Sequence, residues 1–178
     1  FDQVATDELR AMLHDCIDRI PNRDQRHAVH ERLVVGMLPL EVAQRFQALT
    51  SRLVDQYNQF EPLEGLNVNG RLTLGENIGD CGGLQVALHA YQLSLNGQEA
   101  PILEGTTGIQ RFYMSRAQCR RELRRDQSLR NQVMTDPHSP ARYRVNGPAR
   151  NMDAWYEAFN VQPGDALYLA PADRVTIW

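Results

Sequence analysis

Apolar residues at Leu9, Met12, Leu13, Cys16, Ile17 and Ile20 recur at i, i+3, i+4, i+7, i+8 and i+11, one face of a helix, and Pro21 stops it. Asn22 can cap a second helix reaching about Gly36, with Val29, Leu33 and Val34 inside. Pro39 opens a third, whose stripe is Val42, Phe46, Leu49, Leu53 and Tyr57. The alternation in "LNVNGRLTL" about Asn69-Gly70 predicts a small β-hairpin. A helix follows from about Glu76 to Leu95, with Leu84, Leu88 and Tyr91 inward and Asn96-Gly97 as its stop. Another runs from about Thr107 to Arg125 with Ile109, Phe112 and Leu123 on its apolar side. "DPHSPARYRVNGP" has three prolines and an Asn-Gly and reads as loop. A last helix, about Met152 to Phe159, leads into an extended "PGDALYLAPADRVTIW". The pattern is that of a mainly α chain with one small β-hairpin, without internal repeats or low-complexity linkers.

One turn and a half of this pattern is costly. Glu76 and Asp80 stand at i and i+4, where like charges on a helix repel by roughly 0.2–0.5 kcal/mol. Gly82 and Gly83 follow, each about 0.5–1 kcal/mol worse than alanine in a helix. Such a stretch needs a compensating partner.

Composition narrows the candidates. The 178 residues suffice for one domain that buries roughly 70% of its unfolded surface. A net charge of −3 and a pI of about 6.0 argue against a nucleic-acid or membrane-surface binder. All 19 basic residues are arginine, a bias of the source genome more than a functional mark. No apolar run approaches the ~20 residues of a membrane span, and no signal peptide is visible. The chain opens on Phe1 and not on Met, as expected where an upstream part was removed or is not shown. Cys16, Cys81 and Cys119 are odd in number and lack a C-x-x-C spacing, so they read as free thiols.

Few side chains can do chemistry. His14 and His89 lie on predicted helices as solvated or core-edge residues. In "HAVHE" the histidines His27 and His30 are three apart, whereas a zincin needs H-E-x-x-H, with histidines four apart and glutamate between them. No such string occurs in the chain. Glu76, Asp80, Asp136, His138 and Arg144 remain.

These residues sit in strings that resemble a family. "LNVNGRLTLGENIGDCGGLQVALHAY" is similar to the V-N-G-x-x-T-L-G-E-N-I-A-D-x-G-G-L segment of neprilysin-type zinc metalloendopeptidases. "DPHSPARYRVNGPARNMDAWYEAFNVQPGD" resembles that family's H-S-P-x-x-x-R-V-N-G-P loop and the stretch after it, and "RVTIW" resembles its ending. The resemblance runs from about Leu66 to Trp178. It implies the helical C-terminal lobe of a thermolysin-like (zincin) catalytic domain over 61–178, with 1–60 a helical segment serving as core or docking surface.

The resemblance also implies roles. Glu76 corresponds to the third zinc ligand, after two histidines, in a site whose fourth position holds the water to be activated. Asp80 corresponds to the carboxylate that orients a ligating histidine. His138 corresponds to the donor to the developing oxyanion, and Arg144 to the arginine that grips a substrate backbone carbonyl. Asp136 resembles the family's orienting aspartate, with a plain loop hydrogen bond as an equal alternative. Beside a dication and a histidine N–H the sign of the local field reverses, which would offset the repulsion of Glu76 and Asp80.

Some positions depart from the pattern. Gly79 replaces an alanine, Cys119 falls near a usual tryptophan, and Asp24 to Leu49 stand where the H-E-x-x-H helix is expected without matching any family motif. Phe1-Asp2 echoes the family's H-x-F-D string, but the residues after it do not continue the pattern. The implied zinc is therefore expected in a shared site, not held by this chain alone. A second chain or a cleaved upstream segment would supply H-E-x-x-H, and the substrate would be a peptide. The alternative is a non-catalytic structural or regulatory subunit, or a peptide-binding module. The shared-site reading expects Glu76, Asp80, His138 and Arg144 around one concavity, with Glu76 facing an opening and not this chain's own histidines.

Overall fold

Leu49, Leu53 and Tyr57, four apart, make the inner stripe of α1 (Leu40–Asn58), and Leu53 and Tyr57 expose no surface. The computed structural model describes residues 40–177, so the helices predicted over 9–20 and 22–36 lie outside the described residues. Contacts divide the chain into two units, Phe1–Gln47 and Ala48–Trp178, and the packing below is that of the second.

Asn69-Gly70 makes a turn, as its sequence predicts, but the turn feeds a helix and not a second strand. Asn69 Oδ1 accepts from the backbone N–H groups of Arg71 (3.1 Å) and Leu72 (3.0 Å), a local turn that serves a helix start as readily as a hairpin. Contact with α1 decides between them. The Gly70 N–H donates to Asn58 Oδ1 at 2.8 Å, and a Cβ on Gly70 would lie 2.3 Å from the Val54 carbonyl oxygen. The expected hairpin is thus absent. Among the described residues, pairing is limited to isolated bridges, Leu63 with Leu66 and Leu103 with Thr106. Gly70→Ala is expected to destabilise by about 1–3 kcal/mol, the range for overpacking against an unyielding neighbour. An unchanged denaturation midpoint would show that α1 gives way.

Helix α2 (Leu74–Ser94) ends at Asn96-Gly97, both at positive φ, as expected. Helix α3 (Gly108–Cys119) starts at a capping box in which Thr107 and Gln110 serve each other's backbone N–H. It stops short of the predicted Arg125, because the arginine run has no apolar anchor and Leu123 is fully exposed. A separate α4 (Asp126–Thr135) follows, which the pattern did not reveal; Val133 is its buried residue.

The predicted loop is largely α5 (Ala141–Ala149). Pro140 sits just before the first turn, where a helix tolerates proline, whereas Pro148 lies inside the last turn at the cost of one backbone hydrogen bond. Pro148 has no N–H for the carbonyl of Arg144, four residues back, and Arg116 Nη2 donates to that oxygen instead, at 3.4 Å. Helix α6 (Asp153–Phe159) closes on left-handed Asn160, and the rest is irregular but for a 3₁₀ turn at Pro171–Asp173.

Two apolar clusters hold the unit. Leu53, Tyr57, Phe60, Val68, Cys81, Tyr143 and Val175 form one, and Leu84, Leu88, Tyr113 and Met152 the other. Each fully buried large side chain is worth about 1.5–3 kcal/mol. Helix α2 contributes to both and packs against α5, while α3 packs against α6. Among the described residues no helix is long and apolar enough to cross a membrane.

Candidate active site

The α2–α5 contact places the first turn of α2 against the loop before α5. Three of the residues singled out in sequence meet at once. His138 Nε2 lies 3.0 Å from Glu76 Oε2, and Arg144 Nη2 lies 3.3 Å from the same oxygen. Arg144 also holds Asp80 side-on, through Nε to Oδ2 (2.6 Å) and Nη2 to Oδ1 (3.0 Å). That paired contact keeps the Arg144 guanidinium more firmly charged than usual. Its Nη1 donates to none of the described residues.

Asp136 ends α4 and turns back on His138. The His138 backbone N–H donates to Asp136 Oδ1 at 2.8 Å, and the ring Nδ1 lies 2.8 Å from the same oxygen. The backbone hydrogen bond, then the ring contact, hold the Asp136 carboxyl below the usual carboxylate range. With carboxylates at both ring nitrogens, both contacts are hydrogen bonds only when the ring carries two protons.

Asp80 is 8% exposed and needs more than one cation. Arg116 Nη2 from α3 donates to Oδ1 at 2.8 Å, and Arg120 Nη2 stands at 4.0 Å. Neither arginine was singled out in sequence. Arg120 opens an arginine run, and only the tertiary packing sets it near a carboxylate.

One expectation needs correction. Glu76 does meet one of this chain's own histidines, because the loop from α4 carries His138 onto it. Two grooves on this unit, about 420 Å³ between Tyr91, Phe112 and Cys119 and about 370 Å³ around His89 and Met152, are lined by neither Glu76 nor His138.

Glu76 Oε2 is shared by His138 and Arg144, while Oε1 accepts from none of the described residues. Among the described residues no group of three His, Cys, Asp or Glu side chains could hold a metal ion. Burial, with Asp80 adding to it, pushes the Cys81 thiol up to about 12, which keeps it protonated at neutral pH.

Fold and motifs together define a class, the helical lobe of a metallopeptidase. The chain belongs to Peptidase family M13, whose sequence profile matches residues 14–175. That match takes in Asp24 to Leu49, where no family motif is legible. Endothelin-converting enzyme 1 of Bos taurus is 40% identical over 137 residues, 75% of this chain and 18% of that protein. Neprilysin-3 of Drosophila melanogaster is 34% identical over 76% of this chain and 17% of its own length. Among solved structures, the zinc metalloprotease Zmp1 of Mycobacterium tuberculosis in complex with an inhibitor superposes with a TM-score of 0.74. It is 47% identical over 76% of this chain and 22% of that one. PepO of Lactobacillus rhamnosis gives a TM-score of 0.63 at 35% identity, over 76% of this chain and 20% of its own. The chain thus spans about a fifth of the length of these relatives.

Proposed function

We propose that this chain is the C-terminal part of a zinc metalloendopeptidase site, completed by an H-E-x-x-H segment from a partner chain or an upstream piece of the same precursor. The observation that carries the reading is the meeting of Glu76, Asp80, His138 and Arg144, although 64 residues separate Arg144 from Asp80 and 68 separate it from Glu76. Glu76 offers Oε1 as the third ligand. Asp80 accepts three hydrogen bonds from arginines, and a carboxylate takes about four, so Oδ2 retains room for the N–H of a ligating histidine. Gly75, Gly79 and Gly83 line a face of α2 where a Cβ would meet nothing within 4 Å, which suits close approach of another backbone.

Bound zinc supplies Lewis acidity and a water of lowered pKa. This chain's side chains do the rest. Arg144 presents Nη1 to a backbone carbonyl of the peptide while its other nitrogens stay on Asp80 and Glu76. His138, steered by Asp136 through Nδ1, swings Nε2–H from Glu76 to the carbonyl oxygen on which charge develops. The H-E-x-x-H glutamate supplies the general base that this chain lacks.

The purified chain is expected to retain well under one zinc after dialysis, and the reconstituted complex one per pair. Glu76→Gln is expected to remove metal and activity together, a neutral amide being a poor zinc ligand. Stoichiometric zinc on the single chain would sink the shared site. A non-catalytic role draws support from one feature, that Glu76 Oε2 is already satisfied within the chain. It would be upheld if Glu76→Gln unfolded the protein and His138→Ala left turnover untouched.

A further inference from the structure

Beneath the exposed pair of His138 and Glu76 runs a buried line of hydrogen bonds, all pointing one way. Ser139 Oγ donates to Asn77 Oδ1 at 2.9 Å, and Asn77 Nδ2 donates to Thr73 Oγ1 at 2.8 Å. Thr73 Oγ1 in turn donates to the Asn69 carbonyl at 3.1 Å. Asn77 exposes no surface and Ser139 1%. Ser139 follows His138 in the chain, and Asn77 follows Glu76. The bond between them joins the immediate neighbours of the two residues that meet above it.

Exposure decides which contact holds the loop. The side chains of His138 and Glu76 are 43% and 40% exposed, so water and salt compete for that pair. Water does not reach the Asn77–Ser139 bond, and leaving either group unpaired there is costly. The other contacts of the loop differ in kind. Asp136 and Gln132 bind His138 from α4, within the same segment, and Arg144 ties α5 to α2 further along the chain. Ser139 is the buried tether from the loop itself to α2.

We propose that Asn77 and Ser139 are positioning residues, whose buried hydrogen bond sets the place of the His138 ring relative to Glu76. The residue types follow from the direction of the line. Position 77 must accept from Ser139 and donate to Thr73, which an amide does and a carboxylate does not. Asn77→Asp therefore keeps the Ser139 bond and loses the one to Thr73, whereas Ser139→Ala removes only the link to the loop. Linked bonds of one sense also polarise one another, so a break at either end weakens the whole line.

The inference rests on the peptidase reading, and two measurements keep the two apart. In the single chain, the nuclear Overhauser contact between the His138 ring and the Glu76 side chain should be present and should fade in Ser139→Ala. Undiminished intensity would overturn the positioning role whatever the enzyme does. In the reconstituted peptidase, Ser139→Ala should lower kcat by about 10-fold to 10²-fold, as misplacing a reacting group does, with KM and zinc content unchanged. In a His138→Ala background the same substitution should have no further effect on kcat. An equal loss in both backgrounds would make Ser139 a general stability residue and overturn the proposal. A His138→Ala enzyme of normal turnover would overturn the peptidase reading, while the nuclear Overhauser contact still decides the positioning role.

Discussion

In the reconstituted peptidase, His138→Ala is expected to slow turnover by about 10²–10³-fold with zinc content unchanged, the loss seen when one oxyanion donor is removed. The ring meets Asp136 through Nδ1 and Glu76 through Nε2, which sets Nε2 beside the proposed zinc ligand. The effect should fall on kcat and kcat/KM alike, as for a contact made mainly in the transition state. A rise in KM with kcat intact would instead assign His138 to substrate binding. Metal analysis of the same preparation separates this variant from Glu76→Gln, which should lack both zinc and turnover.

Asn151→Leu should cost at least about 4 kcal/mol of stability without touching the site. The Asn151 and Gln56 amides pair reciprocally, Nδ2 to Oε1 at 2.8 Å and Nε2 to Oδ1 at 3.0 Å. Asn151 also donates to the Gly147 carbonyl (2.9 Å) and accepts from the Val175 N–H (2.7 Å). Leucine removes all four bonds, each worth about 1 kcal/mol net, and strands partners that cost ~1–3 kcal/mol apiece when buried unpaired. Denaturant unfolding should show a lower midpoint at unchanged slope. A shift under a quarter of that size would mean the C-terminal segment is held by Val175 and its apolar neighbours. Hydrogen exchange at the Val175 amide is a local check, since that N–H loses its acceptor.

Local chemistry made much of the chain legible. The stripe of α1, the inward Leu84 and Leu88 of α2, the Asn96-Gly97 stop and α6 all follow from periodicity and from residues whose backbone preferences act within a few positions. The costly Glu76–Asp80 pair announced a site because two carboxylates on one helix face demand a distant partner. What stood outside that reach was set by contacts far apart in sequence. Asn69-Gly70 suits two turns equally, and α1 selects the helix start through Asn58 and the Val54 carbonyl. Three prolines read as loop, yet α5 forms, since the carbonyl freed by Pro148 finds Arg116 28 residues away. Arg116 reads as a surface cation until packing sets it over Asp80, and Ser139 as a loop residue until Asn77 closes on it. Propensity and spacing act over one or two helical turns, and the Asp136–His138 contact lies within that reach, whereas the partners of Glu76, Asp80 and Asn77 across the site are chosen by how whole helices pack.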